Sequence, residues 1–169
     1  MARLRFDATP ARPLAGGSGA WPIVERVLDI AAAVLAAEQV GGAQRVLEMA
    51  ANHARERIQF GRPIGSFQAI KHKCADMLVE VEAARSAAYR ALAAAEAGQA
   101  DLPLLASVAK AYCSEAYLQC ATDNIQVHGG IGFTWEHPAH LYFRRAKSSE
   151  LLFGDPTYHR GLVADRAGI

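Results

Sequence analysis

SFQAIKHKCADMLVEVEAARSAAYRALAAAEAG, residues 66–98, is the stretch that decides the fold. Its apolar positions are Phe67, Ile70, Cys74, Met77, Val81, Ala84, Ala88, Ala91 and Ala95. The steps alternate between three and four, the period of a single helical seam that faces a partner throughout. Ser66 is a favourable N-cap and Gly98 a stop, so a helix is expected between them. Downstream, Asp101 caps a third helix with Pro103 in its first turn, running to about Val127 through Val108, Tyr112, Ala116 and Ile125. His137-Pro138 opens a fourth helix carrying Leu141, Tyr142 and Phe143, which Gly154 stops, and Asp155-Pro156 starts a short last one. Upstream, a first helix starts near Pro22 with Ile23, Val27, Ile30 and Val34 in its stripe. The stripe resumes at Val46, Ala50, Ala54 and Ile58. Unbroken to Gln59, it spans about 55 Å. Gly41-Gly42 interrupt it at about 1 kcal/mol each relative to alanine, and we read them as a close helix crossing rather than a kink.

The pattern predicts an all-α, up-down four-helix bundle over residues 21–169. Residues 1–20, with Pro10, Pro13, Gly16, Gly17, Ser18 and Gly19, have linker composition and at most a short strand at Leu4-Arg5-Phe6. A chain of 169 residues makes one domain that buries roughly 70% of its unfolded surface. Alanine supplies much of the apolar content and aromatics only 8%, which favours helices over sheets. With 18 basic and 17 acidic side chains, general nucleic-acid binding is not expected. The apolar run Ile30 to Ala37 is too short to span a bilayer, and no apolar signal segment follows Met1. Cys74, Cys113 and Cys120, an odd number spread along helical stretches, read as buried thiols of a reducing cytoplasm.

Little in the helices suggests chemistry of their own. Glu-x-x-His pairs of the di-iron bundles are absent. His137 and His140 share a helix face without further ligands, so no metal site is expected. There is no Gly-x-Ser-x-Gly turn, and the cysteines do not sit at helix starts that would stabilise a thiolate. The informative features are two turns about 70 residues apart: Gln59-Phe60-Gly61-Arg62-Pro63, and Gly129-Gly130-Ile131-Gly132-Phe133 after Gln126-Val127-His128. Each brings bare backbone amides to a helix end, which suits a phosphate-bearing ligand. The first lies in a basic segment with Arg55, Arg57, Arg62, Lys71, His72 and Lys73 against Glu56 alone. Forked guanidinium donors suit an anion clamp, while Phe60 and Gln68 offer a flat apolar face and an amide to an adenine ring.

Arg57 through Ile64, Phe67-Gln68, Ala75-Asp76-Met77, Gln126 through Phe133 and Arg145-Ala146-Lys147 together resemble the C-terminal helical domain of the flavin-dependent acyl-CoA dehydrogenases, in order and spacing, over roughly residues 20–165. Residues 3–14 resemble the end of that family's central β domain. The resemblance implies that this domain reaches across a subunit interface to hold the FAD of a neighbouring subunit. Arg57 and Gln59 would lie near the pyrophosphate, Phe60 and Gln68 near the ADP portion, and Gln126 through Gly129 and Gly130 would supply a helix end and backbone approach. It also implies acyl-CoA as substrate, and homo- or hetero-oligomers with subunits of the same type, without nucleic acid or membrane.

The sequence departs from the family where the family keeps its catalytic base, a glutamate that removes the substrate α-proton. One family position falls on Phe153, before Gly154; the other falls on Ala31 in the first helix, with the family's CoA-binding arginine at Ala32. Neither phenylalanine nor alanine accepts a proton. Asp29 does match an acidic position there. Three readings stay open: a non-catalytic subunit of a heteromeric enzyme of the sterol-degrading actinobacterial kind that still holds FAD; an enzyme whose base has moved to Glu38 or Asp155; and a structural assembly subunit that no longer binds flavin. The family's N-terminal helical and central β domains have no counterpart here, so a fragment or a split subunit, inactive alone, is expected.

Overall fold

The computed structural model describes residues 4–12 and 19–169. Of the expected linker, Pro13, Gly16, Gly17 and Ser18 lie outside the described residues. Leu4-Arg5-Phe6 is not a strand; it has no ladder partner among the described residues, and both Leu4 and Phe6 are exposed.

Five helices follow: α1 (Trp21–Glu56), α2 (Gln68–Glu96), α3 (Leu102–His128), α4 (Ala139–Leu151) and α5 (Pro156–Ala167). Between α1 and α2 lies a hairpin, β1 (Ile58–Gln59) antiparallel to β2 (Arg62–Pro63), then a 3₁₀ turn, Ile64–Ser66. α1 and α3 run parallel and in register: Gln39 meets Ser114, Gly42 meets Tyr117 and His53 meets His128, each pair 75 residues apart. α2 runs antiparallel to α3, with the Cys113 thiol donating to Ala84 O at 3.3 Å and that of Cys120 to Met77 O at 3.7 Å. The fourth arm of the up-down bundle is split. α4 descends along α1, and α5 continues along the first half of α3, where Arg160 pairs with Glu115 and Arg166 donates to Pro103 O.

α1 is unbroken because its two glycines have different surroundings. A Cβ on Gly42 would lie 2.3 Å from the buried Tyr117 ring, so the residue permits a close crossing of α1 on α3, whereas Gly41 faces open space. The core is built largely from alanine. Ala32, Ala33 and Ala36 of α1 pack with Ala84, Ala88 and Ala91 of α2 and Ala106 and Ala109 of α3; Val46, Met77, Val81 and Tyr117 fill the other end. The α2 seam read from sequence is therefore the buried one.

The first half of the α1 stripe is a correction. Ile23, Val27, Ile30 and Val34 are exposed, Ile23 at 61% and Val34 at 55%, and the face turned inward carries Asp29, Ala32, Ala33 and Ala36. Asp29 is accommodated by an ion pair with Arg166 of α5 at 3.2 Å. Val108, Tyr112 and Leu141 likewise lie on outer faces. α1 ends at Glu56 rather than Gln59, because Arg57 turns extended (φ −71°, ψ 119°) to start the hairpin. Ser66 does not cap α2: its hydroxyl donates to Pro63 O at 2.7 Å and the helix starts from Phe67. Asp101 occupies the N-cap position of α3 but spends its carboxylate on Arg90 at 2.9 Å. Asp155 does cap α5, accepting from Tyr158 N at 2.8 Å.

The neighbouring glycines give opposite expectations. Gly41→Ala removes backbone freedom without a clash and raises stability by about 0.5–1 kcal/mol. Gly42→Ala drives a methyl into Tyr117 and lowers it by about 1–3 kcal/mol. Urea unfolding of the two variants measures both signs.

Candidate functional site: two turns at one end of the bundle

The first turn is a two-residue hairpin in which both central residues adopt positive φ, Phe60 at 52° and Gly61 at 75°. This primed geometry matches the twist of the flanking strands, and the left-handed conformation is costly for phenylalanine. Phe60 is 90% exposed, with the Phe67 ring edge-on at 6.0 Å and the Arg62 guanidinium 4.1 Å above Phe67. Ile64 N donates to Arg57 O at 2.8 Å and closes the hairpin onto the end of α1. Gly65 packs against α1 so closely that a Cβ would lie 2.8 Å from Ala54 O.

The second turn leaves the end of α3. Gly129 (φ 67°, ψ −141°) breaks the helix, and a 3₁₀ segment, Gly129–Phe133, follows. A Cβ on Gly132 would lie 2.8 Å from Ile125 O, so this glycine folds the turn back on its helix. A Cβ on Gly129 or Gly130 would meet nothing, so the space over their backbone is open. The two turns share one end of the bundle: the rings of His53, one helical turn before Arg57, and His128, beside Gly129, stack at 4.2 Å.

Arg57, Gln59, Phe60, Gln68, Gln126, Gly129 and Gly130 are all exposed. Among the described residues, none pairs with the side-chain polar groups of Arg57, Gln59, Gln68 or Gln126. Three other cations of the basic segment are engaged, Arg55 with Asn52 at 3.2 Å, Arg62 with Phe67, and Lys73 with Asp123 at 2.5 Å, while Lys71 is exposed. The arrangement is a cation, three amides, a flat ring and open glycine backbone at one end of the bundle, suited to an anionic ligand with a flat group.

The two positions expected from the sequence to lack a base, Phe153 and Ala31, lie elsewhere. Phe153 is held at φ 59° in the α4–α5 junction, followed by Gly154 at 106°. His159 Nε2 donates to Phe153 O at 3.0 Å, and Lys110 Nζ donates to Gly154 O at 2.9 Å, Glu150 O at 3.0 Å and Ser114 Oγ at 2.9 Å. Lys110 is fully buried with no carboxylate partner, and burial pulls its pKa down to about 8. Gln39 extends the network, donating to Ser114 Oγ at 3.0 Å and Ser149 Oγ at 3.1 Å. Sequence reading passed over this network, although Ser107, Lys110 and Ser114 recur at helical spacing in an alanine-rich α3.

Ala31 is half-buried and Ala32 buried. Burial raises the pKa of the Asp29 carboxyl, with Arg166 opposing. Glu38 is gripped by both arms of Arg145, at 2.6 and 2.7 Å, and this hydrogen bonding holds its carboxyl below the usual range. The Asp155 carboxylate is occupied as a helix cap. Burial pushes the Cys113 and Cys120 thiols up to about 12; Cys74, half-buried, is raised in the same direction. His137 packs on the His128 ring at 4.3 Å and His140 on Trp135 at 4.9 Å, so the two rings turn to different neighbours.

Residues 17–168 match the family model for the acyl-CoA dehydrogenase C-terminal domain. The chain is 44% identical over 156 residues to acyl-CoA dehydrogenase IpdE2 of Mycobacterium tuberculosis, a match covering 92% of this chain and 44% of that protein. Among solved structures, butyryl-CoA dehydrogenase from Megasphaera elsdenii superposes with a TM-score of 0.86 at 29% identity, over 92% of this chain and 40% of that one. The Tcur3481-Tcur3483 steroid ACAD superposes with a TM-score of 0.79 at 37% identity, over 86% of this chain and 41% of that one. The chain thus spans less than half the length of each of these relatives.

Lys110→Met leaves buried acceptors without a donor and is expected to cost about 1–3 kcal/mol at pH 7. Because the folded pKa of Lys110 lies below its unfolded value of 10.5, the wild type gains stability from this group as pH rises from about 8 towards 10.5. Thermal unfolding across that range tests the sign, since the methionine variant lacks this gain.

Proposed function

This chain belongs to the acyl-CoA dehydrogenase family, as its C-terminal domain, and on that premise we propose that it grips the ADP portion of an FAD shared with a neighbouring subunit. The observation that carries the reading is the His53–His128 stack, which joins the end of α1 to the end of α3 and so gathers the arginine turn and the glycine turn. The donor set fits the group. Arg57 offers a forked donor to the pyrophosphate together with Gln59, and Gln126 stands at the helix end that leads into the glycine turn. The backbone of Gly129 and Gly130 is open to close approach, and Phe60 and Gln68 supply a flat face and an amide for the adenine end. Bound flavin would supply the acceptor for the hydride leaving an acyl-CoA thioester.

The chain's own contribution is to bind and orient. Phe153 and Ala31 cannot take a proton, Glu38 is committed to Arg145 and Asp155 to the start of α5, so the proton acceptor belongs to a partner subunit in this reading. The exposed stripe of Ile23, Val27, Ile30 and Val34 is the surface an acyl-CoA dehydrogenase-type subunit would cover. Its full setting would be α,β-desaturation of acyl-CoA in fatty-acid or sterol side-chain breakdown in the cytoplasm. No helix among the described residues is long and apolar enough to cross a membrane.

Two measurements on the complex with its flavin-bearing partner test this. Arg57→Ala or Gln126→Ala is expected to weaken flavin retention by about 10-fold or more, read as loss of visible absorbance on gel filtration. A colourless complex of unchanged size for the wild type refutes flavin holding and leaves a structural assembly role. Bleaching of the bound flavin by acyl-CoA is expected to proceed at an unchanged rate in Glu38→Gln and Asp155→Asn; slowing in either assigns that carboxylate as the base.

A further inference from the structure

We propose that the stacked rings of His53, His128 and His137 form an acid-released latch that positions the two turns; that these turns grip flavin rests on the function proposed above, while the latch itself rests on the stack. His128 is the middle ring, 4.2 Å from His53 at an interplanar angle of 27° and 4.3 Å from His137 at 45°. The three rings come from the last turn of α1, the end of α3 and the segment leading into α4, so the stack joins the three pieces of chain that carry or flank both turns.

The protonation state each ring needs follows from its partners. His128 Nδ1 lies 2.8 Å from Asn124 O, and a carbonyl only accepts, so Nδ1 carries a hydrogen. His137 Nδ1 accepts from Ala139 N at 3.2 Å, so it must be bare, and its ring is neutral with the hydrogen on Nε2. A proton added to His137 turns that acceptor into a donor facing a donor, at the positive end of α4. Charging two adjacent rings of the stack sets like charges about 4 Å apart.

The surroundings act in the same direction. Arg45, Glu56 and Arg57 of α1 and His140 and Tyr142 of α4 face the stack; Arg45 is paired with Glu48 at 3.3 Å, which leaves Arg57 set against Glu56. Burial first, then the neighbouring rings, lower the pKa of His53 and His137 below the ordinary 6.5. A group depressed in the folded state contributes stability that is complete above its unfolded value and lost as pH falls. The latch is therefore favoured at neutral pH and weakens progressively as pH falls below the ordinary histidine value. A cavity of about 340 Å³ lined by all three rings admits the water that delivers the protons. Among the described residues the three stacked rings do not converge as metal ligands.

Amide hydrogen exchange of the full chain at pH 7.0 and 5.0, corrected for intrinsic rates and referenced to α2, decides the latch. Residues 57–62 and 129–137 are expected to exchange faster at pH 5.0 than at pH 7.0, the direction that lowered histidine pKa values require. The triple variant His53→Phe, His128→Phe, His137→Phe keeps flat rings but cannot titrate, and should lose that acceleration; His137→Phe alone removes the ring that accepts from Ala139 N and should reduce it if the triple variant does not fold. No acceleration in the wild type, or equal acceleration in the wild type and the variants, overturns the latch. A parallel titration of the complex with its flavin-bearing partner, with FAD added and followed by flavin fluorescence, tests what the latch positions. Binding at pH 7.0 that weakens tenfold at pH 5.0 only when the histidines are present supports the positioning role, and equal binding at both values overturns it. If exchange follows the histidines while FAD binds at neither pH, the flavin reading fails and the latch stands.

Discussion

The in-register, parallel packing of α1 on α3 is the constraint from which the rest of the structure follows, and Gly42 against Tyr117 is where it is set. A side chain at position 42 would hold the helices apart; its absence lets the tyrosine ring lie against bare backbone. Because both helices rise by the same amount per residue, one fixed crossing propagates along their length. Gln39 then reaches Ser114, and His53 arrives opposite His128. A slip of one helical turn, about 5.4 Å, would break all these pairings together. The two turns emerge side by side because their parent helices end at the same level.

The bundle was legible in the sequence because α2 has one apolar seam and one polar face. The alternation of three and four leaves a single way to bury it, and the glycines and prolines mark its neighbours' ends. The first half of α1 was read on the wrong face because it is apolar nearly all round. Periodicity picks out the larger side chains, Ile23, Val27, Ile30 and Val34, while the bundle's close packing selects the small ones, Ala32, Ala33 and Ala36. The inward face also carries Asp29, which only its partner 137 residues away makes tolerable. Local signals cannot carry that information, and for the same reason Ser66 and Asp101 were assigned capping roles that Pro63 and Arg90 take from them.

The candidate site divides along the same line. Its turns were visible because glycine, arginine and glutamine cluster in short stretches. That the turns lie together was not visible, since it depends on two histidines 75 residues apart. The junction at Phe153 was recognised only as a missing carboxylate. In the folded chain it is an over-determined piece of backbone: a left-handed phenylalanine whose carbonyl, and that of the next residue, are each held by a buried cationic or titratable group, Lys110 and His159. The fold preserves the direction in which residue 153 projects, even though the side chain there has no proton chemistry.

The thiols of Cys113 and Cys120 donate to carbonyls of α2 in the dry seam between α2 and α3, with proton affinities far above neutrality. Alkylating reagents attack thiolates, so neither sulfur is a target while the seam is closed. Cys74, half-buried near the start of the α2 seam, is the more accessible of the three. Maleimide labelling of the two seam thiols thus becomes a clock for separation of α2 from α3, recording the opening of this helix pair independently of events at the turns.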